Sequence, residues 1–320
     1  MALRLALAGD TMLGRGVAEA LLAGRRPLLD EEVVALAAAA DLFLVNLECC
    51  ISGRGERWPA PGKPFFFRAP PQAADLLASW GVDCVTLANN HALDFGRDAL
   101  LDTLEHLAAA GVACVGAGPD EQAARAPRRL SAAGRAVTVV AATDHPADFA
   151  AGPGLAGVAY ADLRRGLPDW LTVQLREAAR AADVLVCAVH WGPNMTRAPV
   201  RHVREAGAAL VAAGAHLVVG HSAHVPHGAA GRVLYDLGDF IDDYRVDPEM
   251  RNDLGFLFLV TLEDDGRATG EAIPLALEFC HTRLARRGDA ALVASRFAEG
   301  CSALGGEAEL VDGRVRFSLA

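Results

Sequence analysis

Short apolar runs of Leu, Val, Ala and Phe recur along this chain, and five of them stop within a few residues at side chains that bind metals. LRLALAG runs into Asp10, DLFLV into Asn46 and Glu48, and DCVTLA into Asn89, Asn90 and His91. VLVCAV ends at His190, and AHLVVG at His221 with His224 three residues on. Apolar β-branched runs bounded by Gly, Asp or Asn predict buried strands of an α/β sheet. In open α/β sheets, ligands bind at the carboxyl ends of the strands. The pattern therefore predicts one convergent polar site, and the residue types point to a metal centre.

Between the strands the spacing turns helical. LDEEVVALAAAA predicts a helix with acidic residues in its first turn, where the helix dipole favours them. Further helices are predicted from about Pro70 to Trp80, Asp98 to Ala110, over WLTVQLREAARAA, and from about Val200 to Ala213. They alternate with the strands DCVTLA, VACVGAG, AVTVVAAT, DVLVCAV and AHLVVG. A loop rich in Gly, Pro and Arg runs from Ser52 to about Pro64 with neither period. Beyond Gly255 the character changes. FLFLVTLEDDGRATGEAIPLAL predicts a hairpin, Gly288 to Leu304 a helix, and AELVDGRVRFSLA a final hairpin. Residues 1–270 are expected to form the main domain, with 271–320 as a C-terminal extension packed on it.

Composition narrows the function. The 320 residues carry a net charge of -10, with the acidic side chains spread rather than clustered, which argues against nucleic-acid binding. The seven cysteines lie mostly in apolar runs and show no CxxC spacing, the pattern of buried thiols in a reducing compartment. Cys49 and Cys50 read as packing behind a strand end. The opening MALRLALAGD reads as the first strand rather than a signal or anchor, and no apolar run is long enough to span a membrane. A cytoplasmic enzyme is expected.

The motifs carry the chemistry. Asp10 lies in GDTMLGRG, where Gly9 and Gly14 permit a tight turn and close backbone approach, and it fits either a helix N-cap or a metal ligand. Asn46 and Glu48, two apart in an extended segment, project to one face. A carboxylate such as Glu48 can bridge two cations, which in two-metal hydrolases sit about 3.5–4 Å apart. LANNHALDFG supplies Asn90 as a ligand, His91 as a proton donor to a leaving group, and Asp94 within reach to orient the His91 ring. Of ten histidines, His91, His190, His221, His224 and His227 fall at predicted strand ends. His145 stands ready to support the ligands from behind. His106, His202 and His281 read as surface residues, and His216 packs or faces solvent.

Taken in order, GDTMLGRG, VNLE, LANNHALDFG, VHWG, GHSAHV and YDLGDF resemble the CapA family, the capsule poly-gamma-glutamate synthesis proteins grouped with the calcineurin-like metallophosphoesterases. The resemblance runs from Asp10 to about Phe258. It implies a four-layer α/β/β/α sandwich with a C-terminal β extension and the site at the strand ends. It also implies metal ligation by Asp10, Glu48, Asn90, His190, His221 and His224, with His91 and Asp94 catalytic. Thr11 and Met12 stand where phosphoesterases carry a histidine ligand, the last histidines are spaced His-x-x-His, and Pro193-Asn194-Met195 follows the HWG motif. One or two divalent ions (Mn, Zn, Fe or Mg) are expected. The subsite of His190, His221, Asn90 and Glu48 is expected to fill before that of Asp10, Glu48 and His224.

Three readings follow. One is a metal-dependent hydrolase of a phosphoester or a gamma-glutamyl-type amide; the second is a non-hydrolytic component of polyglutamate or capsule synthesis; the third is a metal-free binding module. A small anionic or gamma-glutamyl, peptide-like substrate would meet Lys63, Arg68, Asn89, Asn194, Asp239 and Arg251, with Asn252 beside them. Phe65 to Phe67, between the first two cations, serve equally well as core.

Overall fold

The computed structural model describes residues 2–24 and 27–320. Two sheets form its centre. In chain order the strands that matter for the site are β1 (Leu3–Thr11), β2 (Leu42–Leu47), β3 (Cys84–Thr86), β4 (Ala113–Val115), β5 (Arg135–Thr143), β6 (Val184–His190), β7 (Leu217–His221), β8 (Asp239–Ile241), β9 (Leu254–Leu262) and β10 (Ala268–Glu278). The larger sheet runs β10-β9-β1-β2-β3-β4, with the hairpin Ala308–Val311 and Arg314–Ser318 beyond β10. The smaller one runs β7-β6-β5 in parallel, flanked by Val233–Leu234 on one side and Arg128–Ala132 on the other.

Strand periodicity sorts the apolar side chains into layers. Leu3, Leu5 and Leu7 of β1 and Leu42 and Leu44 of β2 face the second sheet, meeting Val137, Val139, Val184, Val186, Leu217 and Val219. The alternate residues Ala6, Ala8, Phe43 and Val45 face outward, against helices that contribute Val17, Val33, Leu77 and Leu100. On the other side Leu185, Cys187 and Val189 of β6 meet Leu171, Leu175, Val203 and Leu210 from the helices Asp169–Ala181 and Arg201–Ala212. Three apolar interfaces between four layers make an α/β/β/α sandwich. A side chain flips face with every residue along a strand, so each strand needs apolar residues at both parities. That is why these strands read as continuous apolar runs.

The predicted helices and hairpins are present within a few residues of their expected bounds, as Gln72–Ser79, Gly96–Ala109 and Arg287–Ala303 illustrate. The pattern reading lacked the helix Arg15–Ala23 and the strand Arg128–Ala132. That strand is joined to β5 by Ala133 and Gly134, both at positive φ, as a two-residue hairpin turn requires. The expected boundary at 270/271 falls inside β10, which pairs with β9 along its length. Phe297 of the last helix packs with Phe256, Phe258 and Phe317 between the sheets. His281, expected on the surface, is buried in a short strand, with Nδ1 2.7 Å from the Pro27 carbonyl and Nε2 3.1 Å from Asp30. Among the described residues, no helix is long and apolar enough to cross a membrane.

Candidate metal centre

The site lies where the carboxyl ends of the two sheets converge, and a local irregularity puts its first carboxylate in place. Leu3, Leu5 and Leu7 face the second sheet, so by strict alternation Asp10 would face the helices. Instead the register against β2 slips between Ala8 and Asp10, which pair with the consecutive residues Val45 and Asn46. The extra residue, Gly9, is a bulge that turns Asp10 inward. A Cβ on Gly9 would sit 1.8 Å from the Gly238 carbonyl oxygen, so only glycine admits the segment ahead of β8 here. That close approach lets β8 pair Asp239 with Asp10. Asp10 precedes the Gly14 cap of the first helix by four residues and is not its N-cap.

Asp10, Glu48, His224 and Asp239 each offer a ligand atom, and these atoms all lie within 4.8 Å of one another. His224 Nδ1 is 2.8 Å from Asp239 and 3.4 Å from Asp10, while His221 Nδ1 is 3.6 Å from Asp10. His190 sits beside His221 in register between β6 and β7. Fully buried donors here lack partners: Asp10 Oδ2, both Glu48 oxygens, Asn90 Oδ1, both ring nitrogens of His190, His221 Nδ1 and Asp239 Oδ2 make no hydrogen bond. Buried polar atoms are almost always paired, and carboxylate, amide and imidazole donors around one point suit a divalent cation. Asp239, which the sequence offered as a substrate contact, converges with Asp10, Glu48 and His224 in this cluster. Its signal was the aspartate-rich YDLGDFIDDY, but only the pairing of β8 with β1 shows which aspartate converges. The subsite of Asp10, Glu48 and His224 thereby gains a carboxylate and is no longer the poorer in protein ligands.

Burial shifts the protonation of these groups. Burial raises the Asp10 carboxyl to about 7, opposed by the His224 cation. It raises Glu48 and Asp239 well above the usual carboxylate range, with neighbouring carboxylates adding to the effect on Glu48. Burial alone brings His221 down to about 3, and burial aided by neighbouring histidines holds His190 well below its ordinary value. Both imidazoles are thus neutral near pH 7, the form that ligates metals. At His224 burial opposes the charge, but Asp239 and Glu48 outweigh it and push the pKa well up.

Beside the cluster stands a histidine–aspartate pair. His91 Nδ1 lies 2.6 Å from Asp94 and its Nε2 3.9 Å from Glu48. Asp94 also accepts the Phe67 amide at 2.7 Å and pairs with Lys63 at 2.9 Å. The Phe67 ring stacks on His91 with centroids 4.1 Å apart, and burial brings His91 down to about 4.

Other expected residues have partners within the protein. Asn89 donates to Asn46 and to the Leu47 carbonyl, so it clasps the strand ends. Lys63 is held by Asp94 and the Asn90 carbonyl. Arg68 lies over Phe95 and donates to the carbonyls of Arg54 and Gly55, and Arg251 is held by Asp253 and Asp289. Asn194 does reach the site, with Nδ2 3.3 Å from His224 Nε2. His227 Nε2 donates to the Thr196 carbonyl at 2.8 Å. His202, expected on the surface, joins His145 in holding Asp144, and the His145 ring lies 5.2 Å from His190.

Two facing sheets between helical layers thus carry acidic and imidazole side chains that converge at the strand ends. The family model described as "Bacterial capsule synthesis protein PGA_cap" matches residues 4–244, and the chain belongs to that family. It is 30% identical over 318 residues to a probable polyglutamine synthesis accessory protein of Mycobacterium tuberculosis, covering 85% of this chain and 82% of that one. It is 28% identical over 243 residues to the PGA biosynthesis protein CapA of Bacillus subtilis, covering 73% of this chain and 62% of that protein. Among solved structures, the calcineurin-like phosphoesterase YfkN of Bacillus subtilis aligns over 89% of this chain and 88% of its own at 12% identity, with a TM-score of 0.43.

Proposed function

We propose that this protein is a metal-dependent hydrolase that cleaves a gamma-glutamyl-type amide bond. The observation that carries the hydrolytic reading is the shell of buried, partnerless donors at the strand ends. The names of its relatives, which concern polyglutamine, PGA and capsule synthesis, support the choice of substrate. Asp10, Glu48, His224 and Asp239 would hold one cation, and the unpartnered atoms of His190, His221 and Asn90 would offer ligands to a second. A divalent cation held there supplies Lewis-acid chemistry, polarising a carbonyl and acidifying water.

The chain's own residues do the rest. His91 donates a hydrogen bond from Nδ1 to Asp94, which leaves Nε2 facing the cluster as the atom that takes a proton from the attacking water and passes it to the leaving nitrogen. Lys63 on the other Asp94 oxygen holds that carboxylate in place. The stacked Phe67 ring excludes water from one face of the imidazole.

Elemental analysis of protein prepared with Mn, Zn, Fe and Mg, followed by a screen of gamma-glutamyl peptides against phosphoesters, tests this reading. Stoichiometric metal with gamma-glutamyl turnover is expected. Metal at background level would overturn the hydrolase, and turnover of phosphoesters alone would overturn the amide.

A further inference from the structure

The cleft above the metal centre has a volume of about 510 Å³, and its lining is not that of a site for a small polar ion. Phe65, Met195 and Val246 stand on its rim at 54%, 37% and 45% exposure, large apolar side chains in water around one opening. Exposed apolar groups gathered at a cleft mark a place where a ligand lies. From this rim an aromatic series leads inward. Phe65 stacks on Phe67 at 6.4 Å, and Phe67 stacks on both His91 and Tyr244.

The rim is held rather than loose. Arg15 and Met195 have φ of 50° and 52°, a conformation sparsely populated by residues with side chains and found where surrounding structure imposes it at functional sites. The Met195 amide is tied to the Ala223 carbonyl at 3.0 Å. The Arg15 guanidinium, gripped by Asp243, lies over the rings of Phe65, Phe67 and Tyr244. The charge of Arg15 is therefore already countered. Arg245, also in the cleft lining, is exposed and makes no side-chain ion pair or hydrogen bond among the described residues. The Tyr244 hydroxyl is buried without a partner.

We propose that this cleft is a binding site for an amphipathic anion. Its acidic group meets Arg245, and its apolar portion lies against Phe65, Met195 and Val246. The proposal rests on the strand-end cluster being the reaction centre. It adds that the substrate, or the group attached to it, carries an apolar segment next to a carboxylate or phosphate.

Calorimetric titration with N-acyl-L-glutamates from acetyl to octanoyl, and with n-alkyl phosphates of matching length, tests it without turnover. In at least one series affinity should rise by roughly two- to fourfold per methylene, the upper figure being that of full burial. The series that shows the slope identifies the acidic group. Val246→Asp and Phe65→Ser, both at exposed positions, should flatten the slope, and Arg245→Gln should weaken every member alike. A flat response in both series, or a slope unchanged in Val246→Asp and Phe65→Ser, overturns the proposal. Metal analysis on the same samples separates the two readings. Metal with a flat response sinks the apolar site alone, while a slope with no metal sinks the hydrolase alone.

Discussion

Two sets of buried polar side chains meet at the ends of β1 to β3, and they are treated in opposite ways. In the first, every group finds a partner within the protein. Asn46 donates to Asp10 at 2.7 Å and accepts from Thr86 at 2.8 Å and from Asn89 at 3.1 Å, while Asn89 accepts the His91 amide at 3.0 Å. In the second, a few ångströms away, Glu48, His190, His221 and Asp239 are equally buried and bond incompletely or not at all. A satisfied network rigidifies the place it occupies, whereas an unsatisfied one costs free energy until something binds. The first set has the character of a frame, and under the proposed function the second is the receptor. Burial alone would have ranked them together.

The largest test strikes the receptor. Asp10→Asn and His221→Ala should lose bound metal by elemental analysis. They should also lose the thermal stabilisation that metal gives the parent, about 2.7 kcal/mol at a hundredfold excess over Kd. Metal retained in both variants would show that the partnerless donors are not a ligand shell. Next comes His91→Asn, for which steady-state kinetics should show activity down by about 10²–10⁴-fold with metal content intact. Metal loss instead would move His91 into the shell.

The frame is tested by Asn46→Leu, which takes the acceptor from Thr86 and from one Asn89 N–H and the amide donor from one Asp10 oxygen. Denaturant unfolding of metal-free protein should show a loss of about 1–3 kcal/mol, and no loss would mean the network is not the frame. pH sharpens the contrast further. The raised Asp10 pKa means metal-free protein loses stability as pH rises from the ordinary carboxylate range to about 7, where the buried charge must form. A cation cancels that penalty, so the gain in Tm on adding metal should be largest above pH 7 and shrink below it. A gain independent of pH between 5 and 8 would contradict the linkage. Smallest is Arg251→Gln, which touches neither set. Its ion pairs with Asp253 and Asp289 are partly exposed, so it should leave activity unchanged and cost at most about 1 kcal/mol by denaturation. A fall in activity would bring Arg251 back to the substrate.

Much of this was legible along the chain. Strand ends are local events, so Asp10, Glu48, Asn90, His190 and His221 announced themselves by following apolar runs. The spacing His91-x-x-Asp94 foretold a contact made within a single turn. Residues whose task depends on distant partners could not be read this way. Lys63, Arg68 and Arg251 looked like free cations because nothing in the sequence shows that Asp94, the Gly55 carbonyl and Asp289 already hold them. Arg245 went unmarked because having no side-chain ion pair or hydrogen bond among the described residues is a property of its surroundings.

The sequence by itself determined the layers and where along the chain the chemistry sits, because apolar periodicity and residue type act over a few residues. Only the tertiary structure decided which of those groups converge. The bulge at Gly9 turns Asp10 to the inner face, and the pairing of β8 with β1 brings Asp239 across more than two hundred residues to stand beside it. Both depend on one strand's register against another, and register is set by packing between segments that the linear pattern leaves far apart.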